Sequence, residues 1–348
     1  MKNLIKEYRL GILLCLIGLP VIAWAQTAVL PVKKAITKTY KVSKNDALLI
    51  DNQYGNVEIK TWEKREVLIY ITISSQAKTV QEAKLGSRVH VLSDRNKGTI
   101  TCQTIIDSVV ETRALKKISK MMSTINYLVY VPKDLKLYLK NQFGNIKVGD
   151  YVGPLNVNEK FGDFTAGRLQ AAGRLSVEQG NINILQLHGG ELIARGFGHV
   201  IVDNVSDMLS GGFSSGDLVD IKLTKNLGGL VFKSDNIRRM NITGVNSVTA
   251  FYRIHAILSK FNNLSGLKLK EINPYPSLNV NKKIDSLTNE AKKKGSTTTG
   301  VNKDKILPKK ILEDLKMIKK SKNYEGGDAD AKCKISIVTS FCILTIND

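Results

Sequence analysis

Five glycines constrain this chain more than any other feature. Gly144, Gly162, Gly180, Gly198 and Gly216 follow one another at intervals of 18 residues, and four equal intervals require one structural unit of fixed length to recur. The next residue is Asn145, Asp163, Asn181, His199 or Asp217, and the one after that Ile146, Phe164, Ile182, Val200 or Leu218. Ser234-Asp235-Asn236 is a degraded further copy. Gly153 and Gly189, with Ala171 and Asp207 in equivalent places, put a second turn half-way along each unit, so each unit holds at least two strands.

Alternation within the units calls for strand. Leu155-x-Val157, Phe164-x-Ala166, Leu175-x-Val177, Ile182-x-Ile184, Leu192-x-Ala194, Val200-x-Val202, Leu230-x-Phe232 and Met240-x-Ile242 place apolar side chains two apart, the period that sends them to one face. Leu169, Leu187, Val205 and Leu223 form a further inward column. One unit cannot bury its own apolar face, but units stacked about 4.8 Å apart pair every backbone group and pool a continuous core. The expected fold is therefore all-β, a single-stranded β-solenoid (β-helix or β-roll) of 18-residue coils. Glycine is expected at the corners because they need φ > 0, with Asn or Asp bonding nearby backbone; Gly180→Val is then strongly destabilising. Open ends of such a stack need caps.

The flanks divide the rest. Lys2, Lys6 and Arg9 precede the apolar run Leu10 to Trp24, and Ala23-Trp24-Ala25 supplies small residues for cleavage, so residues 1–25 read as a secretory signal peptide. Residues 26–132 are expected as a β-rich N-terminal cap module with a short helix between Gln76 and Leu85, residues 133–273 as the solenoid coils, 274–331 as a lysine-rich flexible insertion, and 332–348 as closing β-strands. Within the insertion, Lys305 to Lys320 has weak helical spacing. Asn52-Gln53-Tyr54-Gly55-Asn56-Val57 echoes Asn141-Gln142-Phe143-Gly144-Asn145-Ile146, which suggests that the cap shares the coil register. In the closing strands Cys342 stands where a corner glycine would. Of the 4 cysteines, Cys15 leaves with the signal; Cys333 and Cys342 can pair only if their strands bring them together.

Charge adds a partner class. Lys+Arg number 52 against 31 Asp+Glu, a formal net charge of +21, which favours anionic partners. Much of the excess sits in the lysine-rich segment, which reads first as a solvated insertion. Neither an aromatic-interleaved basic motif nor a helix-turn-helix pattern accompanies it, so specific nucleic-acid binding is not expected.

The leader, the opening Asp51-Asn52-Gln53-Tyr54-Gly55-Asn56-Val57-Glu58-Ile59-Lys60-Thr61-Trp62 and the later Phe-Gly-Asn/Asp turns resemble the bacterial putative-adhesin family with β-strand repeats, over roughly residues 36–272 and the final strands. The resemblance implies a β-solenoid in the periplasm, at the outer membrane surface or outside the cell, and no established biochemistry. The chain departs from that pattern in its lysine-rich insertion and at Cys342.

Chemistry is harder to find. The row Asn145, Asp163, Asn181, His199, Asp217 and Asp235 is a candidate calcium row, but the glycine-rich turns of calcium-binding rolls are missing and turn chemistry explains it better. His90, His188, His199 and His255 show no close metal spacing, and no Ser-His-Asp order or phosphate loop can be defended. Arg168, Arg174 and Arg195 could line a groove for an anionic sugar, although solvated arginines are the commoner case. The column Phe143, Phe161 and Phe197 could stack on sugar rings, although packing in the core or on an edge is the commoner case. No catalytic, cofactor-binding or metal residue and no cofactor is expected. The preferred function is a non-catalytic exported scaffold of the envelope or surface with adhesin-like binding, its partner an envelope glycan, cell wall or surface protein; the alternative is a carbohydrate-active β-helix enzyme, a polysaccharide lyase or hydrolase.

Overall fold

A computed structural model describes residues 30–77, 89–106, 124–272 and 321–348. The leader, the helical spacing from Lys305 to Lys320 and most of the lysine-rich segment lie outside the described residues; of the helix expected between Gln76 and Leu85, Gln76 and Ala77 are strand and the rest lies outside the described residues. The described chain is nearly all strand, in one open 19-stranded sheet. Its first strands are β1 (Leu30–Lys41), β2 (Ala47–Gln53), β3 (Val57–Trp62), β4 (Glu66–Ala77), β5 (Val89–Asn96), β6 (Thr99–Ile106) and β7 (Thr124–Pro132). The middle holds β8 (Lys136–Gln142), β9 (Ile146–Val148), β10 (Tyr151–Lys160), β11 (Phe164–Glu178), β12 (Ile182–Arg195) and the long β13 (His199–Thr243), which runs on through several corners. Last come β14 (Ala250–Ile257), β15 (Lys260–Asn263), β16 (Leu269–Ile272), β17 (Ser321–Gly327), β18 (Cys333–Ser340) and β19 (Ile343–Ile346). The strand β17 falls within the segment 274–331.

Residues one interval apart lie side by side. Ile146 pairs in parallel with Phe164, Phe164 with Ile182, and Ile182 with Val200. Leu169, Leu187 and Val205 align in the same way. Every residue of the alternating pairs set out above is buried, and so is the column from Leu169 to Leu223. Sequence-distant echoes meet too: Asn52 pairs with Asn141, Gln53 with Gln142, and Val57 with Ile146.

Chain order and spatial order part company at both ends. Strands β2 and β3 lie between β6 and β7 on one side and β8 and β9 on the other, all parallel. At the far end β18 and β19 slot between the last part of β13 and the pair β14 and β15. The first and last parallel layers of the chain are thus each held from both sides. Antiparallel strands finish the stack, with β4 on β7, β1 on β4 and β5 on β6 at one end, and β17 on β14 and β16 at the other. Switching direction in this way covers the parallel edge that another copy could extend.

The corner glycines have a different role from the one expected. None of Gly144, Gly162, Gly180, Gly198 and Gly216 has positive φ; the residue before takes that conformation at all but Gly198, where Gly196, two residues before, does. In spatial order the left-handed corners are Tyr54, Phe143, Phe161, Gln179, Gly196, Ser215, Asn236, Phe341 and Leu258, with φ between 48° and 62°. Glycine follows because of stacking. A methyl group built on Gly144 would overlap the carbonyl of Gly55, one on Gly162 that of Gly144, and one on Gly180 that of Gly162. Close approach of backbone to backbone, and not dihedral freedom, excludes a side chain there.

Cys102, Cys333 and Cys342 are buried free thiols. The extended strand β18 separates Cys333 from Cys342 by about 25 Å or more, far beyond the reach of a disulfide.

Candidate binding surface

The Asn/Asp row is a structural ladder. Each side-chain Oδ1 accepts the backbone N–H of the corresponding residue one layer on: Asn56 from Asn145 at 2.9 Å, Asn145 from Asp163 at 2.9 Å, Asp163 from Asn181 at 2.8 Å, and Asn181 from His199 at 2.9 Å. His199 has no such oxygen and the run stops there; Asp217 instead pairs with Arg238. Asp150 and Asn156 repeat the device, accepting from the N–H groups of Arg168 and Arg174. The Arg168 N–H, with its guanidinium, holds the Asp150 carboxyl below its ordinary range.

A second ladder runs inside the corner. The Thr104 hydroxyl donates to Asn52 Oδ1 and bonds the Tyr127 hydroxyl, Asn52 Nδ2 reaches Asn141 Oδ1 at 3.0 Å, and Asn141 Nδ2 donates to Glu159 Oε2 at 3.0 Å. All five side chains are buried. On its other side Glu159 meets Val177, which offers nothing polar, and among the described residues its Oε1 has no partner. Burial pushes this carboxyl up to about 8; the Asn141 amide and the Lys160 N–H pull the other way, and Asp163 adds to the rise. Glu159 is therefore mostly protonated at neutral pH, a carboxylic acid in a place that asparagine fills in the two layers before it.

The phenylalanine column splits. Phe143 and Phe161 are 43% and 41% exposed; Tyr54 stacks on Phe143 at a centroid separation of 5.1 Å and Phe143 on Phe161 at 4.9 Å, both with interplanar angles of 10°. The three rings thus pack against one another along the edge. Phe197 goes inside. Gly196 takes the left-handed corner one residue early, so the next side chain swings into the core against Phe213, which meets Phe232 edge to face at 5.1 Å. The Phe197 ring lies over Gly216, where any Cβ would strike it.

The histidines are held within the surface. His188 Nδ1 faces both Ser206 Oγ at 2.9 Å and Asp207 Oδ2 at 3.3 Å, while its Nε2 meets Gln186. Serine and aspartate thus share one ring nitrogen, whereas a base activating a nucleophile needs them on opposite nitrogens. His199 Nε2 lies against Asn183, and His255 sits in β14 beside Val338. Arg168 pairs with Asp150 at 2.8 Å and Arg174 with Glu191 at 3.5 Å. Arg195 has no ion-pair partner among the described residues.

Arg195 instead lines a cleft of about 510 Å³ on the outward face. Its floor is Ser210, Gly212 and Ser214, which alternate with inward-facing Leu209, Gly211 and Phe213. Glu191, Ile193 and Arg195 form one wall, being paired with Ser210, Gly212 and Ser214 respectively; Val231, Lys233 and Asp235 form the other. A side chain added at Gly212 would meet nothing within 4 Å. The missing side chain itself makes the trough. Sequence reading could have found it as a Ser-x-Gly-x-Ser alternation between bulkier strands.

No family model and no curated protein matches this chain. Among solved structures it is similar to a putative cell adhesion protein from Clostridium sporogenes ATCC 15579, at 10% identity and a TM-score of 0.21, covering 90% of this chain and 98% of that one. It is also similar to a putative adhesin from Parabacteroides merdae ATCC 43184, at 14% identity and a TM-score of 0.30, covering 67% of this chain and 84% of that one. Among the described residues no helix is long and apolar enough to cross a membrane.

Proposed function

We propose that this chain is a non-catalytic scaffold of the bacterial envelope, exported by its first 25 residues, whose parallel stack is a β-solenoid of 18-residue coils with a β-rich N-terminal cap and whose flank binds a partner in the manner of an adhesin. One observation carries the reading: the polar side chains that recur from layer to layer are spent on the neighbouring layer, with Asn56, Asn145, Asp163 and Asn181 each accepting a backbone N–H. Side chains committed to holding the stack leave the exterior troughs as the surface for recognition.

Expression with the leader in a bacterial host tests export: a shortened chain outside the cytoplasm is expected, and an uncut cytoplasmic chain would overturn that part. Incubation of the mature chain with isolated envelope polysaccharide tests the rest. Saturable retention without new reducing ends or unsaturated-sugar absorbance is expected, and steady product release would replace the scaffold with a carbohydrate-active enzyme.

A further inference from the structure

The cleft over Ser210, Gly212 and Ser214 is lined by four charged side chains, Glu191, Arg195, Lys233 and Asp235. Glu191 is neutralised by Arg174, and Asp235 accepts the Ser340 hydroxyl. Arg195 and Lys233, on opposite walls, have no ion-pair partner among the described residues. Two cations without an ion-pair partner therefore face a trough whose two carboxylates, Glu191 and Asp235, are already engaged, one by Arg174 and one by the Ser340 hydroxyl. The trough follows the strand, and its five-residue floor is about 16 Å long, a shape for an extended chain. The floor pairs with β12 on one side and the opposite wall pairs with β18, so an entering peptide finds no free edge in these strands to extend. What the floor offers is serine hydroxyls: that of Ser210 donates to the Gly190 carbonyl at 3.4 Å and is left to accept, and that of Ser214 can do both.

We propose that this trough binds an acidic polysaccharide lying along the strand direction, its carboxylates met by Arg195 and Lys233 and its hydroxyls by Ser210 and Ser214. This deepens the scaffold reading and rests on it. A guanidinium is suited to paired contact with a carboxylate, and a ring hydroxyl is suited to the serines. Of the three arginines expected to line an anionic groove, the fold leaves only Arg195 free to do so.

The test is binding of polygalacturonate to the mature full chain, with neutral dextran and poly-glutamate alongside. Gly212→Leu fills the trough, leaves the charge untouched and stands where the backbone has room for it. Its expected effect is loss of saturable polygalacturonate binding with an unchanged melting midpoint. Arg195→Gln with Lys233→Gln removes only two charges from a net +21, so a non-specific electrostatic association would barely change; the trough predicts a loss of about tenfold or more, the worth of two modest charge-assisted contacts. Arg168→Gln, away from the trough, is expected to bind as the parent does. Unchanged polygalacturonate binding in Gly212→Leu overturns the proposal, and so does saturable binding of poly-glutamate in place of polygalacturonate. Absence of polygalacturonate binding with no product formed sinks the ligand assignment and leaves the scaffold standing. Product release that Gly212→Leu abolishes sinks the non-catalytic reading and leaves the trough in place.

Discussion

The corner column behaves in two ways along its length. From Tyr54 to Gln179 the left-handed residue directly precedes a glycine, its side chain stays outside, and glycine stacks on glycine. At Gly196 the left-handed position comes one residue earlier, Phe197 packs inside with Phe213 and Phe232, and Gly216 gives room to a ring instead of a carbonyl. The same residue type thus ends on opposite sides of the wall, with the outward trough opening beside the buried aromatic cluster. A one-residue displacement of a backbone conformation, with no change of composition, converts an edge ornament into core.

The largest expected effect breaks the first half. Gly162→Val puts a branched side chain into the carbonyl of Gly144 and is expected to cost more than about 4 kcal/mol or prevent folding, as read by chemical denaturation; Gly212→Ala, in open space, should move the midpoint by less than about 0.5 kcal/mol. A tolerated Gly162→Val would remove the backbone-stacking account. In the second half, Phe213→Ala empties the aromatic cluster and is expected to cost about 3–5 kcal/mol. Equal losses for Phe213→Ala and Phe161→Ala would erase the distinction between the halves.

Acidity sharpens the contrast on the interior side of the first half. The folded Glu159 carboxyl is raised from 4.5 to about 8, while in the unfolded chain it titrates near its ordinary value. The folded state therefore holds the proton more tightly: its contribution is complete below pH about 4.5 and is lost as pH rises towards 8, by roughly 1.4 kcal/mol per unit at most. Glu159→Gln, neutral and of the same shape, should flatten that decline in a series of melts between pH 5 and 8. An identical pH slope in both proteins would show that Glu159 is not the titrating group. The smallest effect is that of Phe161→Ala, about 1 kcal/mol from a lost stacked pair on an exposed edge.

Much of this was open to inspection before any coordinates. Period-two alternation named the inward residues from Leu155 to Ile242, because a strand's faces follow directly from side-chain spacing. In the Asn/Asp row, Asn145, Asp163 and Asn181 do bond backbone, but the backbone of the neighbouring layer and not of their own turn, a distinction that local spacing does not carry. The reason for the glycines was misjudged: glycine serves both for positive φ and for close approach, and composition cannot tell the two apart. The cleft escaped because it is made by a side chain that Gly212 lacks, with Arg195 and Lys233 contributed from different layers.

By itself, the sequence determined the all-β character, the 18-residue offset between neighbouring aliphatic residues and the face each of them takes, since these follow from local spacing and from the need to bury apolar surface. Tertiary structure alone decided which layer lies on which. Parallel strands of equal period pair equally well with many partners, so nothing local announces that β2 and β3, or β18 and β19, slide between layers distant in the chain. It also decided the side on which Phe197 lies, because a corner's place within its layer depends on the corners stacked above and below it.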